Sequence, residues 1–214
     1  MKTLAGVARK HPQSAYTGLK KSLQQEWAFV QRVAHGIIDA FGPVEEALQE
    51  NFLSDLFQGL RERAPRRGFT RLPVKQSGLV LPDPTKTAPA NWTASCVISG
   101  HLITSLRGQE EFQTADHSDC LQEGRTVVRK WSALMVEEAL PVTISGYPVQ
   151  GARRMQQAKK TGKWQMVQLS TVNRTGLGER ESRDALFLRY GLETLDLPRY
   201  CKRLKRHLFY MSRT

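Results

Sequence analysis

Cysteine is scarce in this 214-residue chain, and its three copies lie far apart. Cys96, Cys120 and Cys201 are odd in number and form no C-x-x-C pair, which argues against a disulfide framework and a thiolate metal site. Cys96 falls in an apolar helical pattern and reads as a small core residue. The five histidines include no two at ligand spacing, so no metal is expected. No apolar run is long enough to cross a membrane. The apolar part of the opening MKTLAGVARKHPQS is too short for a secretory signal, so an intracellular setting, nuclear or cytoplasmic, is expected. There the sequons at Asn91 and Asn173 are coincidental. Internal repeats, low-complexity tracts and long heptad runs are absent too.

Catalytic constellations are equally thin. Polymerase chemistry needs paired aspartates to hold two magnesium ions, and no neighbouring pair of aspartates occurs. His117-Ser118-Asp119 has the residue types of a hydrolase triad, but triad members converge from separate segments. Thr161-Gly162-Lys163-Trp164 lacks the earlier glycine and the Ser or Thr of a phosphate loop. Gly176-Leu177-Gly178 lacks the third glycine of a dinucleotide fingerprint. No enzymatic activity, cofactor or small-molecule substrate is expected.

What the chain does have is positive charge: net +12, pI near 10.0. Residues 61–75 hold six basic residues and one acid, residues 153–163 five and none, and residues 199–214 six and none. The remainder of the chain is net acidic. Clustered Lys and Arg displace counterions from phosphates, so a polyanion partner is expected. The plainer reading is a set of solvated helix faces and a basic tail.

Hydrophobic spacing predicts a mostly α fold. A first helix over residues 14–35 puts Tyr16, Leu19, Leu23, Trp27, Val30 and Val33 on one face, with Lys20, Lys21, Gln24, Gln25, Gln31 and Arg32 opposite. A second starts at Gly42-Pro43, with Glu45 and Glu46 suiting its dipole and Val44, Leu48, Phe52 and Leu56 buried. Residues 61–71 read as a basic loop broken by Pro65 and Gly68. RLPVKQSGLVLPDP then reads as a proline-framed, β-hairpin-like hook near residues 71–82, turning at Ser77-Gly78, with Arg71 and Lys75 exposed. Asp83-Pro84 resembles a helix cap, and helices follow over 89–106 (Trp92, Cys96, Leu102 and Ile103 inward) and 114–139, Pro141 marking the end. A shorter helix at 149–160, an apolar run at 164–169 and a last helix at 181–190 complete the pattern. The four tryptophans read as packing residues rather than base-stacking platforms.

Several stretches, taken together, resemble one family. KSLQQEWAFVQRV, PVEEALQENFLSDLF, RLPVKQSGLVLPDPT, ANWTASCVISGHL, TADHSDCLQEGR, ARRMQQAKKTGKW and RDALFLRYGLETLDLPRYC are similar to successive segments after the polymerase palm of non-LTR-type retrotransposon reverse transcriptases. The resemblance covers residues 12–201. It implies a helical thumb-like domain over 1–140, a basic helical linker region over 141–198 and a basic tail over 199–214. A polymerase palm would be a natural partner. In the family a segment like DLPRYC leads into a Cys/His zinc motif; Cys201 matches its first cysteine, but CKRLKRHLFYMSRT supplies no second, and this tail reads as a truncation or frame change. The patches and the resemblance together assign phosphate contact, to RNA, DNA or hybrid, to Arg66, Arg67, Arg71, Lys75, Arg153, Arg154, Lys159, Lys160 and Lys163. The competing expectations are a protein-interaction module, whose apolar faces once met a palm, or a remnant without selected function.

Overall fold

The computed structural model describes residues 1–57, 67–76, 78–108, 111–145 and 179–190, with all their side chains except those of Lys75, Val142, Leu188 and Arg189. The chain opens with α1 (Lys2–Lys10), which the sequence pattern did not signal. Ala5 and Ala8 are buried, and their small side chains let α1 lie against the helix around residue 53. Arg9 fixes the approach from outside, donating from Nε at 3.2 Å and Nη2 at 2.7 Å to Oδ1 of Asp55. The break after α1 has a simple cause: Pro12 disfavours helical backbone at His11, which sits at φ −136°, ψ 70°.

Pro12 then opens α2 (Pro12–Gly18), which runs through a π-helical turn (Leu19–Leu23) into α3 (Gln24–Val33). The turn corrects the expected buried stripe. A π turn accommodates one extra residue, so the helix leaves it with its face rotated. Tyr16 and Leu19 are buried as expected, and Leu23 and Trp27 pack partly against the core. Beyond them Val30 and Val33 are 43% and 59% exposed, while Gln31, expected outside, is fully buried. Its Nε2 donates to the carbonyl of Pro84 at 2.7 Å, and its Oε1 accepts from Asn91 Nδ2 at 2.6 Å. A buried amide requires such partners. It ties α3 to the start of α7 (Pro84–Gly108) and takes up the side-chain nitrogen of the Asn91 sequon.

The second helical unit begins with α4 (Gly42–Ala47), passes through another π turn (Leu48–Leu53) and ends in α5 (Ser54–Leu56). Leu48, Phe52 and Leu56 are buried as their spacing implies, joined by Leu53 and Phe57. Phe52 and Phe57 show no exposure, and each such burial stabilises by about 1.5–3 kcal/mol.

Residues 67–71 are not loop. They form α6 (Arg67–Arg71), burying Phe69 and Thr70. Gly68 reads as a helix breaker in sequence, but here it permits close packing, since a Cβ there would lie 2.5 Å from Thr143 Oγ1. Thr143 belongs to α8 (Thr114–Ser145), which runs straight through Pro141 instead of stopping there. The lost hydrogen bond is tolerated because the turn beyond Pro141 buries Thr143 against α6.

The hook closes on itself, but no strand forms among the described residues. Its first arm is a 3₁₀ turn (Val74–Gln76), and its second, over 78–83, has no regular secondary structure. Three backbone bonds hold the arms: Gly78 donates to Pro73 at 3.0 Å, and Val80 to Leu72 and Leu81 to Thr70, both at 2.9 Å. Leu72, Leu79 and Leu81 sink into the core. Gly78 crosses so close to Leu72 that a Cβ would lie 1.8 Å from its carbonyl oxygen. Val80 takes φ +54°, a left-handed conformation that costs a β-branched residue roughly 1–3 kcal/mol. Tyr16 and Lys20 meet this arm from the long helix, donating to the carbonyls of Leu79 at 2.5 Å and Val80 at 2.6 Å.

Asp83 caps α7: Oδ1 accepts from the backbone N–H of Thr85 at 3.0 Å and its hydroxyl at 2.6 Å. With that cap the helix starts at Pro84 rather than Pro89, which it absorbs. α7 pairs with α8 at a glycine: a Cβ on Gly124 would lie 2.5 Å from Ile98 and 3.1 Å from the carbonyl of Ala94. Ala94 therefore faces α8, and Cys96, two residues and about 200° further round the helix, points outward and is exposed rather than buried. Leu102 and Ile103, expected inside, are each 43% exposed, past that crossing. Finally α9 (Glu179–Tyr190) adds Ala185, Leu186, Phe187 and Tyr190 to the core, Phe57 meeting Phe187 and Tyr190 at ring distances of 6.4 and 5.7 Å. The architecture is a mostly α, bundle-like fold. The helix at 149–160 and the apolar run at 164–169 lie outside the described residues.

Gly78→Ala is expected to lower stability by about 2 kcal/mol or more, because the added methyl must displace backbone. Urea unfolding followed by circular dichroism measures this; an unchanged midpoint would show that the crossing relaxes freely.

Candidate nucleic-acid interface

Of the nine cations assigned to phosphate, Arg67 and Arg71 have described side chains. Both stand on α6, four residues apart and so on one face. That face turns inward. Arg67 donates from Nε and Nη2 to the two carboxylate oxygens of Glu45, each at 2.7 Å, a bidentate fork. Its Nη1 reaches the carbonyl of Leu81 at 2.6 Å and the hydroxyl of Thr70 at 2.8 Å. The Arg67 side chain is 7% exposed. Arg71 Nη2 lies 2.8 Å from Glu45 Oε1 and 2.8 Å from Asp83 Oδ2. Its side chain is 28% exposed, against the open position expected for it.

Two arginines and two carboxylates thus form a quartet of zero net charge. It joins the start of α4, all of α6, the returning arm of the hook and the cap of α7. Buried charge is costly unless paired and hydrogen-bonded, and here each guanidinium meets a carboxylate. Glu45 reads in sequence as a dipole-complementing residue in a first turn. Its partners stand 22 and 26 positions later, a separation no local pattern reveals.

Lys75 contributes backbone to the 3₁₀ turn. The side chain of Lys75, together with Arg66, Arg153, Arg154, Lys159, Lys160 and Lys163, lies outside the described residues. The balance of charge is nonetheless sharp. The described residues carry 17 Lys and Arg against 16 Asp and Glu, and the rest of the chain carries 15 against 4. The described residues are close to neutral, and most of the basic excess belongs to residues outside them.

Other constellations resolve into structure. His117, Ser118 and Asp119 are consecutive residues of α8, each rotated about 100° from the last, so their side chains diverge. His117 packs on Phe112, which also meets His101, both at 5.3 Å. Among the described residues no three His, Cys, Asp or Glu side chains are grouped to hold a metal, and no helix is long and apolar enough to cross a membrane. A cavity between α2, the hook and α9, lined by Tyr16, Leu79 and Leu186, measures about 10 Å³ and holds nothing larger than water. Trp27, Trp92 and Trp131 are half-buried, and Trp92 packs on His35 at 5.0 Å. Compared with known protein families, with curated proteins and with solved structures, the chain matches none.

Arg67→Ala removes the bidentate partner of Glu45, leaving it to Arg71 alone, and is expected to cost about 1–3 kcal/mol. Replacing both Arg67 and Glu45 with methionine should cost less, since Arg71 keeps Asp83 and no carboxylate loses its fork. A double-mutant cycle in urea reads the difference, and equal losses for both variants would deny the pair its internal role.

Proposed function

We propose that this chain is a noncatalytic, polymerase-derived helical fragment that binds nucleic acid without sequence preference. The observation that carries the reading is the clustering of charge along the chain: residues 61–75, 153–163 and 199–214 hold 17 basic residues against one acidic, and the remainder is net acidic. Selection for solubility alone has no need to separate charge in this way, whereas a polyanion rewards local concentration through counterion release. The resemblance to the region after the palm of non-LTR-type reverse transcriptases supports it, since a thumb and linker hold template and primer there. Arg67, closed on Glu45, is assigned to the scaffold. The phosphate contacts are Arg66, Lys75, Arg153, Arg154, Lys159, Lys160 and Lys163, with Arg71 at their edge. Backbone contact of this kind positions a strand and reads no bases.

A second reading has its own observation. Phe29, Val30 and Val33 on α3, and Leu102, Ile103 and Leu106 on α7, are 43–72% exposed. Apolar surface at that level suits a protein partner such as a polymerase palm. Light scattering separates this reading: a monomer at all concentrations that binds no hydrophobic dye would count against it.

The leading reading is tested by titrating salt against binding to duplex and to RNA–DNA hybrid. Removing the five cations at 153–163 is expected to lower the slope of log K against log salt by about 4, from roughly 0.9 per duplex phosphate contact. Binding absent at low salt, or a slope untouched by their removal, would overturn it.

A further inference from the structure

α8 carries its charge in an order that folding alone does not reward. Gly124 marks the side of the helix that meets α7. Counting about 100° per residue from it, Ser118, Gln122, Arg125 and Arg129 fall on one flank, between about 100° and 160°. Asp116, Asp119 and Glu123 fall on the other, between about 220° and 280°, and Glu137 continues that side. All of these residues are exposed. The first flank holds no carboxylate, and none occurs anywhere in residues 124–136.

A helical arginine gains from a carboxylate three or four residues away and loses from a like charge there. Arg125 has Leu121, Gln122, Val128 and Arg129 at those positions, and Arg129 has Arg125, Thr126, Ser132 and Ala133. Asp119 likewise stands between Asp116 and Glu123. Both arginines lie in mid-helix, where the helix dipole offers a cation nothing. Among the described residues neither pairs with a carboxylate of another element, whereas Arg9, Arg67, Arg71 and Arg183 each hold one.

We propose that this flank of α8 is a further phosphate-contact row, with Arg125 and Arg129 each meeting a phosphate of the nucleic-acid backbone. It rests on the nucleic-acid reading above and adds to it a site on a regular helix. A guanidinium presents paired N–H donors that fit two phosphate oxygens, and Gln122 and Ser118 extend the row as neutral donors. The arginines stand about 6 Å apart along the axis. The carboxylates of the opposite flank repel the same backbone and confine it to one side of the helix. The row offers donors and no large apolar side chain. That favours phosphate over a protein segment, whose interface would bury an apolar centre.

The test is a salt titration of duplex DNA binding by the full chain and by Arg125→Gln/Arg129→Gln, in which glutamine keeps the helix propensity. The slope of log K against log salt is expected to fall by about 1.8. Between about 50 and 200 mM salt the natural chain should then lose roughly tenfold more affinity than the variant. Lys130→Gln, which removes an exposed cation from the acidic side of the same helix, is expected to leave the slope unchanged. An unchanged slope in the arginine variant, while loss of the cations at 153–163 still lowers it, would overturn this row and leave the reading above standing. No binding by the natural chain at low salt would overturn both. An effect of Lys130→Gln as large per charge would assign the result to net charge and overturn the row. Preference for polyglutamate over duplex at equal charge would do the same, pointing to an acidic protein partner. Should the arginine variant lose its helical circular dichroism, phenylglyoxal labelling of the natural chain, read by mass spectrometry, decides. Duplex that shields Arg125 and Arg129 supports the row, and duplex that leaves both reactive overturns it.

Discussion

The bidentate grip of Arg67 on Glu45 is the contact on which most of the described architecture hangs. It holds the first turn of α4 against α6, and through Nη1 on the Leu81 carbonyl it also anchors the returning arm of the hook. Arg71 extends the same cluster to Asp83, and Asp83 is the cap of α7. Four elements from three separate stretches meet at one electrically neutral point. A half-buried charge tolerates no missing partner, so an arrangement that pulled the quartet apart would leave charge unpaired. It then falls to the leucines and phenylalanines beneath to supply cohesion.

What was legible in the sequence was governed by local periodicity. The stripe Leu48, Phe52, Leu56 and the cap at Asp83 follow from side chains within a turn or two of each other, and both are where their spacing puts them. What was not legible depended on meetings at a distance. Pro141 lies inside α8 because Thr143 has α6 to pack on, and Gly68 lies inside α6 because Thr143 needs the room. Cys96 and Gln31 exchanged places with their expected environments: one helix crossed its partner at Gly124, and the other slipped phase at its π turn. No window of residues announces such a slip. The hook fell between these cases, its fold-back readable from Gly78 and its prolines and its lack of strand pairing not.

The candidate interface divides along the same line. Clustering of like charge is a one-dimensional property, and the sequence displays it directly. Whether a given arginine faces solvent is three-dimensional, and Arg67 and Arg71 show how far the two differ: they sit in a basic run, yet they hold the scaffold together.

The π turn over Leu19–Leu23 has a genetic corollary. It stores a single residue beyond what an α-helix needs, which marks it as the position where the reading of the helix can be lengthened or shortened by one codon. Loss of one codon there would return the turn to regular helix and leave the residues beyond it on the faces they now occupy, so the Gln31 amide would keep Asn91 and Pro84. The same deletion between the turn and Gln31, within regular α-helix, would rotate the part beyond it by about a third of a revolution and draw that amide out of its seam. The turn is thus where this helix tolerates a change of length.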